Sequence, residues 1–183
     1  MSEGVKVIDL FAGPGGLGEG FSSLRRENEI RPFKVALSVE KDKCAHQTLL
    51  FRSFFRQFEA GQAPDDYYTT LRQSDASFTE RLKLLFDAYP HQARRARSEA
   101  WCVELGKQDH ASVHNRITES LCGEDIWVLL GGPPCQAFSI AGRSRNKGNP
   151  EYRLETDERQ YLYVEYLHVI AEHRPAVFTT PDR

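Results

Sequence analysis

No Cys-x-x-Cys pair occurs among Cys44, Cys102, Cys122 and Cys135, and no histidine stands at zinc-ligand spacing from any of them. That absence argues against a structural zinc site, so no metal is expected. A reducing compartment fits, with each thiol judged alone. Cys44 and Cys102 fall in helix-like stretches and read as small core residues, and Cys122 precedes Gly123 at a helix end. Long apolar runs are missing too: Ile126 to Leu130 is far too short to span a bilayer. The start, Met1-Ser2-Glu3-Gly4, lacks the regions of a signal peptide. The expectation is a cytoplasmic protein with no membrane partner. Nor is there an excess of one charge. Lys and Arg total 24 against 26 Asp and Glu, a formal net charge of -2. Any hold on nucleic acid must come from a local patch rather than a global field.

What is present is a globular composition. Hydrophobic residues make up 40% and charged residues 27% of 183, which excludes a disordered or collagen-like chain and leaves room for one sizeable core. Val5 to Leu10 is a short apolar run that ends in Gly13-Pro14-Gly15-Gly16, and Leu17, Phe21 and Leu24 follow at helical spacing. Phe33 to Val39 predicts a second strand, and Ala45, Leu49 and Phe55 a helix from about Asp42. The stretch 59–122 is polar and rich in helix formers, and reads as a helical insertion. Within it Ser77 and Glu80 stand at capping-box spacing, and Arg94 to Leu105 reads as a helix. Asp125 to Leu130 resembles a strand buried on both faces. Asp157 is placed to cap a helix carrying Tyr163, Tyr166, Leu167 and Ile170, with a last strand at Ala176 to Thr180. Strands alternating with helices imply an α/β fold with a mostly parallel sheet covered on both faces.

Two places carry chemistry. A glycine-rich loop after a first strand lets a ligand approach the backbone, and an acid ending the second strand can accept from two ribose hydroxyls. Asp9 to Gly16 followed by Glu40 supplies both. The loop is neither a P-loop nor Gly-x-Gly-x-x-Gly. On spacing alone, a tight structural turn with an exposed acid is the competing reading. The second place is Gly131-Gly132-Pro133-Pro134-Cys135-Gln136, directly after the buried strand. Two prolines restrict the backbone around the thiol. Arg143, Arg145 and Lys147 follow, with no acid between Cys135 and Asn149. Such cations raise the thiolate fraction and can also hold phosphates.

These residues resemble the amino-terminal part of a cytosine-5 DNA methyltransferase of the bacterial modification type. Asp9 to Gly16 with Gly18-Glu19-Gly20-Phe21 resembles the family's first motif, Glu40-Lys41-Asp42 its second, and Gly132 to Ser139 with Gly142-Arg143 its fourth. The resemblance implies a Rossmann-like S-adenosylmethionine-dependent methyltransferase fold. It implies S-adenosyl-L-methionine as cofactor, held by Phe11, Ala12, Gly13, Gly15, Glu40, Lys41 and Pro133. It implies Cys135 as the nucleophile that adds to carbon 6 of a cytosine flipped from double-stranded DNA, with Pro134, Gln136, Ser139, Arg143 and Arg145 towards the substrate.

Where the family places Glu-Asn-Val, this chain reads Pro181-Asp182-Arg183. The acid of the third motif has no match in 59–122, and Arg116-Ile117 is expected in its place. The resemblance leads to the expectation that no target-recognition domain lies within 1–183. The expectation is a truncated catalytic domain over 1–183, weak or inactive alone, from a restriction-modification system. A frameshift before Thr179, a naturally short relative, and one half of a split enzyme that needs a complementary carboxy-terminal chain all stay open. So do a non-catalytic remnant and a tRNA cytosine-5 methyltransferase. A redox enzyme is disfavoured, because Cys135 has no resolving cysteine nearby.

Overall fold

The computed structural model describes residues 4–25, 31–74, 77–133 and 158–179. Burial on both faces explains its central strands. The apolar runs at Val5–Leu10 (β1), Phe33–Glu40 (β2) and Trp127–Gly131 (β4) alternate their side chains between two cores. Ala100–Cys102 (β3) and Val177–Phe178 (β5) complete a five-stranded sheet of order β3-β2-β1-β4-β5, and every pairing is parallel.

Parallel neighbours require crossovers, and helices supply them. On one face Ile8, Leu10, Leu37, Val39 and Leu129 pack against Val113, Ile117 and Leu121 of α6 (His110–Leu121) and Tyr166 and Val169 of α7 (Glu158–His173). On the other, Val7, Val35, Val128 and Leu130 meet Phe21 of α1 (Gly16–Ser23). Both faces are covered, as the alternation of strands and helices requires. Lys6 ties the first layer down: its ammonium donates to the carbonyls of Ser120 (3.1 Å) and Leu121 (2.7 Å) at the end of α6.

A second core lies among α2 (Lys43–Arg56), α3 (Asp65–Arg72), α4 (Phe78–Ala88) and α5 (Pro90–Glu99). Phe51 and Tyr67 stack there at 4.2 Å between ring centroids. Ser77 and Glu80 cap α4 reciprocally, as their spacing predicts. Asp42 caps α2 through the Ala45 amide at 2.8 Å.

The structure departs from sequence expectation in three places. The helix expected over Arg94 to Leu105 ends at Glu99, and Ala100 to Cys102 instead pair with Ser38 to Glu40. The open edge of β2 outweighs helix propensity there. The stretch 59–122 therefore holds β3 and α6, which belong to the sheet and its covering layer. Cys44 and Cys102, expected in the core, are both exposed. Cys44 sits in the first turn of α2 away from its packed face, and Cys102 ends an edge strand. Cys122 is the left-handed cap of α6, as its place before Gly123 suggests. Among the described residues no helix is long and apolar enough to cross a membrane. Asp157, expected as a helix cap, lies outside the described residues.

Candidate functional site

β1 lies between β2 and β4, so the strand order reverses at its carboxyl end. Ligands of open parallel sheets sit in the crevice at such a point. The chain turns sharply there. Phe11 takes a left-handed conformation (φ 57°), which costs a non-glycine residue about 1–3 kcal/mol. The turn is stitched by the Ala12 amide to the Val39 carbonyl and the Gly15 amide to the Ala12 carbonyl, both 2.9 Å. Gly15 has φ 85°, and a Cβ on it would lie 2.7 Å from the Leu49 side chain. Only glycine suits that position.

Glu40 ends β2 facing this loop. One carboxylate oxygen accepts the Gly13 amide at 2.7 Å, and the other accepts the Asp42 amide at 2.7 Å. The acid thus ties the loop after β1 to the start of α2. Each oxygen keeps a second lone pair for a hydroxyl donor.

A cavity of about 190 Å³ opens beside these groups. It is lined by Phe11, Val39, Glu40, Lys41, Val103, Leu105, Gly132 and Leu162. Apolar walls therefore face one carboxylate and one ammonium. Lys41 pairs with Glu104 at 3.1 Å, and Glu104 also meets Lys107 at 3.2 Å. The hydrogen bonds from Lys41 and then Lys107 hold the Glu104 carboxyl below its ordinary pKa.

Behind the loop lies Asp9, fully buried in β1, its carboxylate beside the Gly18 amide but in no well-formed hydrogen bond. Burial pushes its carboxyl up to about 6, and the nearby Glu40 adds to this. The Gly18 amide and Arg56 pull the other way without overcoming it. Arg56 itself joins two helices: it bonds Glu99 at the end of α5 through Nε (3.0 Å) and Glu19 of α1 at 2.7 Å. Burial disfavours its charge, but the two carboxylates outweigh that and raise its pKa.

Of the residues singled out in the sequence, Phe11, Glu40 and Lys41 line the cavity, and Ala12, Gly13 and Gly15 form the loop beside it. Pro133 is buried next to the lining residue Gly132. Pro134, Cys135, Gln136, Ser139, Arg143 and Arg145 lie outside the described residues. Arg116 and Ile117, expected near the cavity, sit on α6 instead. Ile117 is core, and Arg116 bonds the Ser98 carbonyl. The segment after β3 takes their place, with Val103 and Leu105 as walls and Glu104 holding Lys41. Sequence pattern does not reveal this segment, because β3 continues directly from α5 and becomes a strand only by pairing with the edge of β2. Recognising a strand at Ala100 would have been the signal.

Residues 96–180 match the family described as C-5 cytosine-specific DNA methylase. The type II methyltransferase M.Bpa9945I of Bacillus paralicheniformis is 30% identical over 184 residues, covering 94% of this chain and 39% of that protein. The type II methyltransferase M.BspRI of Lysinibacillus sphaericus is 23% identical over 182 residues, covering 99% of this chain and 33% of that protein. A third, M.AquIA of a Picosynechococcus strain, is 37% identical over 54 residues, which is 30% of this chain and 18% of that protein. This chain thus spans less than half the length of the first two. A sheet of order β3-β2-β1-β4-β5, an acid holding a glycine-rich loop at its switch point, and these matches agree: over residues 96–180 the chain is similar to the C-5 cytosine-specific DNA methylase family.

Proposed function

We propose that this chain carries the donor-binding and nucleophile portion of a DNA cytosine-5 methyltransferase that uses S-adenosyl-L-methionine. The observation that carries the reading is the Glu40 carboxylate, tied to Gly13 and standing at the wall of the cavity beside Phe11. The residues present suit a nucleoside. Glu40 has lone pairs left for ribose hydroxyls, and Phe11, Val103, Leu105 and Leu162 offer apolar surface to a purine ring. Lys41 and Gly132 close the polar and backbone sides. When bound, the donor supplies an electrophilic methyl group on a sulfonium.

Cys135 is the nucleophile in this reading. It follows Gly131 at the carboxyl end of β4 by four residues, a tether of at most about 14 Å. Its thiolate forms a bond to carbon 6 of cytosine, which moves electron density to carbon 5, the methylated atom. Carbon 5 takes the methyl group as the donor's carbon–sulfur bond breaks and the neutral thioether leaves. A base then removes the carbon 5 proton, and the released electron pair re-forms the ring double bond and expels the thiolate. The ring must leave the duplex for this attack. Pro133 and Pro134 fix the approach of the thiol, Gln136 and Ser139 lie next to it in sequence, and Arg143 and Arg145 serve the phosphates.

A complementary carboxy-terminal segment belongs to the same reading. Val177 and Phe178 of β5 are 57% and 48% exposed, and Tyr161, Val164 and Leu167 of the preceding helix α7 are exposed as well. An apolar sheet edge of this kind calls for a cover.

The test is covalent trapping. The chain is incubated with S-adenosylmethionine and duplex DNA containing 5-fluorocytosine, with a carboxy-terminal segment of a relative supplied in a parallel arm. A denaturant-resistant adduct that vanishes in Cys135→Ala is expected. An adduct that persists in Cys135→Ala, or none in either arm, overturns the assignment, and a tRNA oligonucleotide that traps where DNA does not redirects it to RNA.

A further inference from the structure

Four of the six histidines in the chain fall on two helices, His110 and His114 on α6 and His168 and His173 on α7. The sheet packs these helices side by side, and the rings come together with them. His110 and His168 have ring centroids 5.4 Å apart. Glu165, one turn before His168 on α7, places a carboxylate oxygen 3.3 Å from His110 Nε2. One ligand atom from each of His110, Glu165 and His168 lies within 4.8 Å of the other two.

We propose that His110, Glu165 and His168 form a binding site for a divalent transition metal of the zinc class, outside the methyl-transfer site. The donor set is two imidazoles and one carboxylate, which suits Zn²⁺, Co²⁺ or Ni²⁺ better than the all-oxygen preference of Mg²⁺ or Ca²⁺. Metal–ligand bonds of about 2.0–2.2 Å at tetrahedral angles put neighbouring ligand atoms about 3.3 Å apart. His110 and Glu165 already meet that edge. His110 and His168 are exposed, so rotation of their rings closes the remaining gaps without disturbing the core. Glu165 is the fixed ligand, 13% exposed, and the turn at Gly106 packs on its side chain at 3.6 Å from the position of a Gly106 Cβ.

The neighbouring pair is a different object. His114 Nδ1 and His173 Nε2 are 2.8 Å apart, so one ring donates to the other and both nitrogens are taken. The metal site is therefore three residues with an open fourth position, rather than the whole histidine row.

Its consequence lies one turn away. Leu162, which precedes Glu165 by one turn on α7, lines the cavity, as does Leu105 beside the Gly106 turn. A metal joining His110 to Glu165 and His168 fastens α6 to α7 directly under that wall. The site thus acts as a clamp on the cavity's apolar side.

Isothermal titration calorimetry of the purified full chain, stripped with chelator and titrated with zinc chloride, tests this. One equivalent of zinc is expected to bind, with affinity reduced at least tenfold in His168→Ala and in Glu165→Gln and unchanged in His114→Ala and in His91→Ala, the latter on α5. Thermal melts give the second readout. Zinc at equal concentration is expected to raise the Tm of the wild-type chain more than that of His168→Ala, while the metal-free melts of the two coincide. Absence of zinc binding, or binding of equal strength in the His168 and Glu165 variants, overturns the proposal.

Discussion

Glu40 receives the Gly13 amide at 2.7 Å, although 27 residues separate them in the chain. With its other oxygen on the Asp42 amide, one side chain fixes the loop after β1 and the start of α2 together. Charge-assisted bonds of this sort contribute about 1.5–3 kcal/mol each. Glu40→Ala is expected to speed hydrogen exchange of the Gly13 and Asp42 amides by at least about tenfold, while the amides of β4 keep their protection. Exchange mass spectrometry on the free protein measures both. Unchanged exchange at Gly13 contradicts the tie.

Asp9 gives a pH dependence with a definite sign. Its carboxyl titrates near 6 in the fold, chiefly through burial, against about 4 when unfolded. Between those values the folded chain holds the extra proton, so stability falls as pH rises through that window. The loss amounts to about 3 kcal/mol and is complete above pH ~7. Asp9→Asn carries no charge and escapes it. Urea midpoints at pH 4.5 and 7.5 are expected to show the variant gaining on the wild type as pH rises. A constant difference between the two proteins refutes the assignment.

Gly131 ends β4 with φ 113°, and a Cβ there would lie 1.8 Å from the Leu10 carbonyl oxygen. The obstruction is backbone, so no side chain can yield to it. Gly131→Ala is expected to cost at least about 3 kcal/mol by opening the β1–β4 pairing beside the cavity. Urea denaturation reads this directly. A loss below about 1 kcal/mol contradicts the close approach.

Arg56 joins Glu19 of α1 to Glu99 at the end of α5, deep between the helices. Removing the cation strands two carboxylates, one of them buried. Arg56→Ala is expected to destabilise the fold by about 3–5 kcal/mol at neutral pH. Adding Glu99→Gln to that variant is expected to recover part of the loss, because the second change removes a stranded charge. Additive losses in the double variant contradict the coupling.

The sequence made some of this legible and hid the rest for physical reasons. β1, β2 and β4 were readable because strands buried on both faces carry continuous apolar runs, and the cap at Ser77 because its partner Glu80 is three residues away. β3 was not readable. It has three residues, follows α5 without a turn, and exists because the edge of β2 pairs with it. That one miss also concealed Val103, Glu104 and Leu105 at the cavity. Glu40 was singled out as an acid facing a ribose, but its bonds to the Gly13 and Asp42 amides depend on how the loop turns at Phe11. The His110, Glu165 and His168 cluster was invisible because only the packing of α6 against α7 unites it.

Calorimetric titration of the full chain with S-adenosylmethionine, run on the wild type and on Glu40→Ala, reaches the core of this account most directly. Saturable binding to the wild type, weakened at least about tenfold by the substitution, is the predicted result. No binding to the wild type, or equal affinity in both proteins, contradicts the placement of the methyl donor beside Phe11 and Glu40.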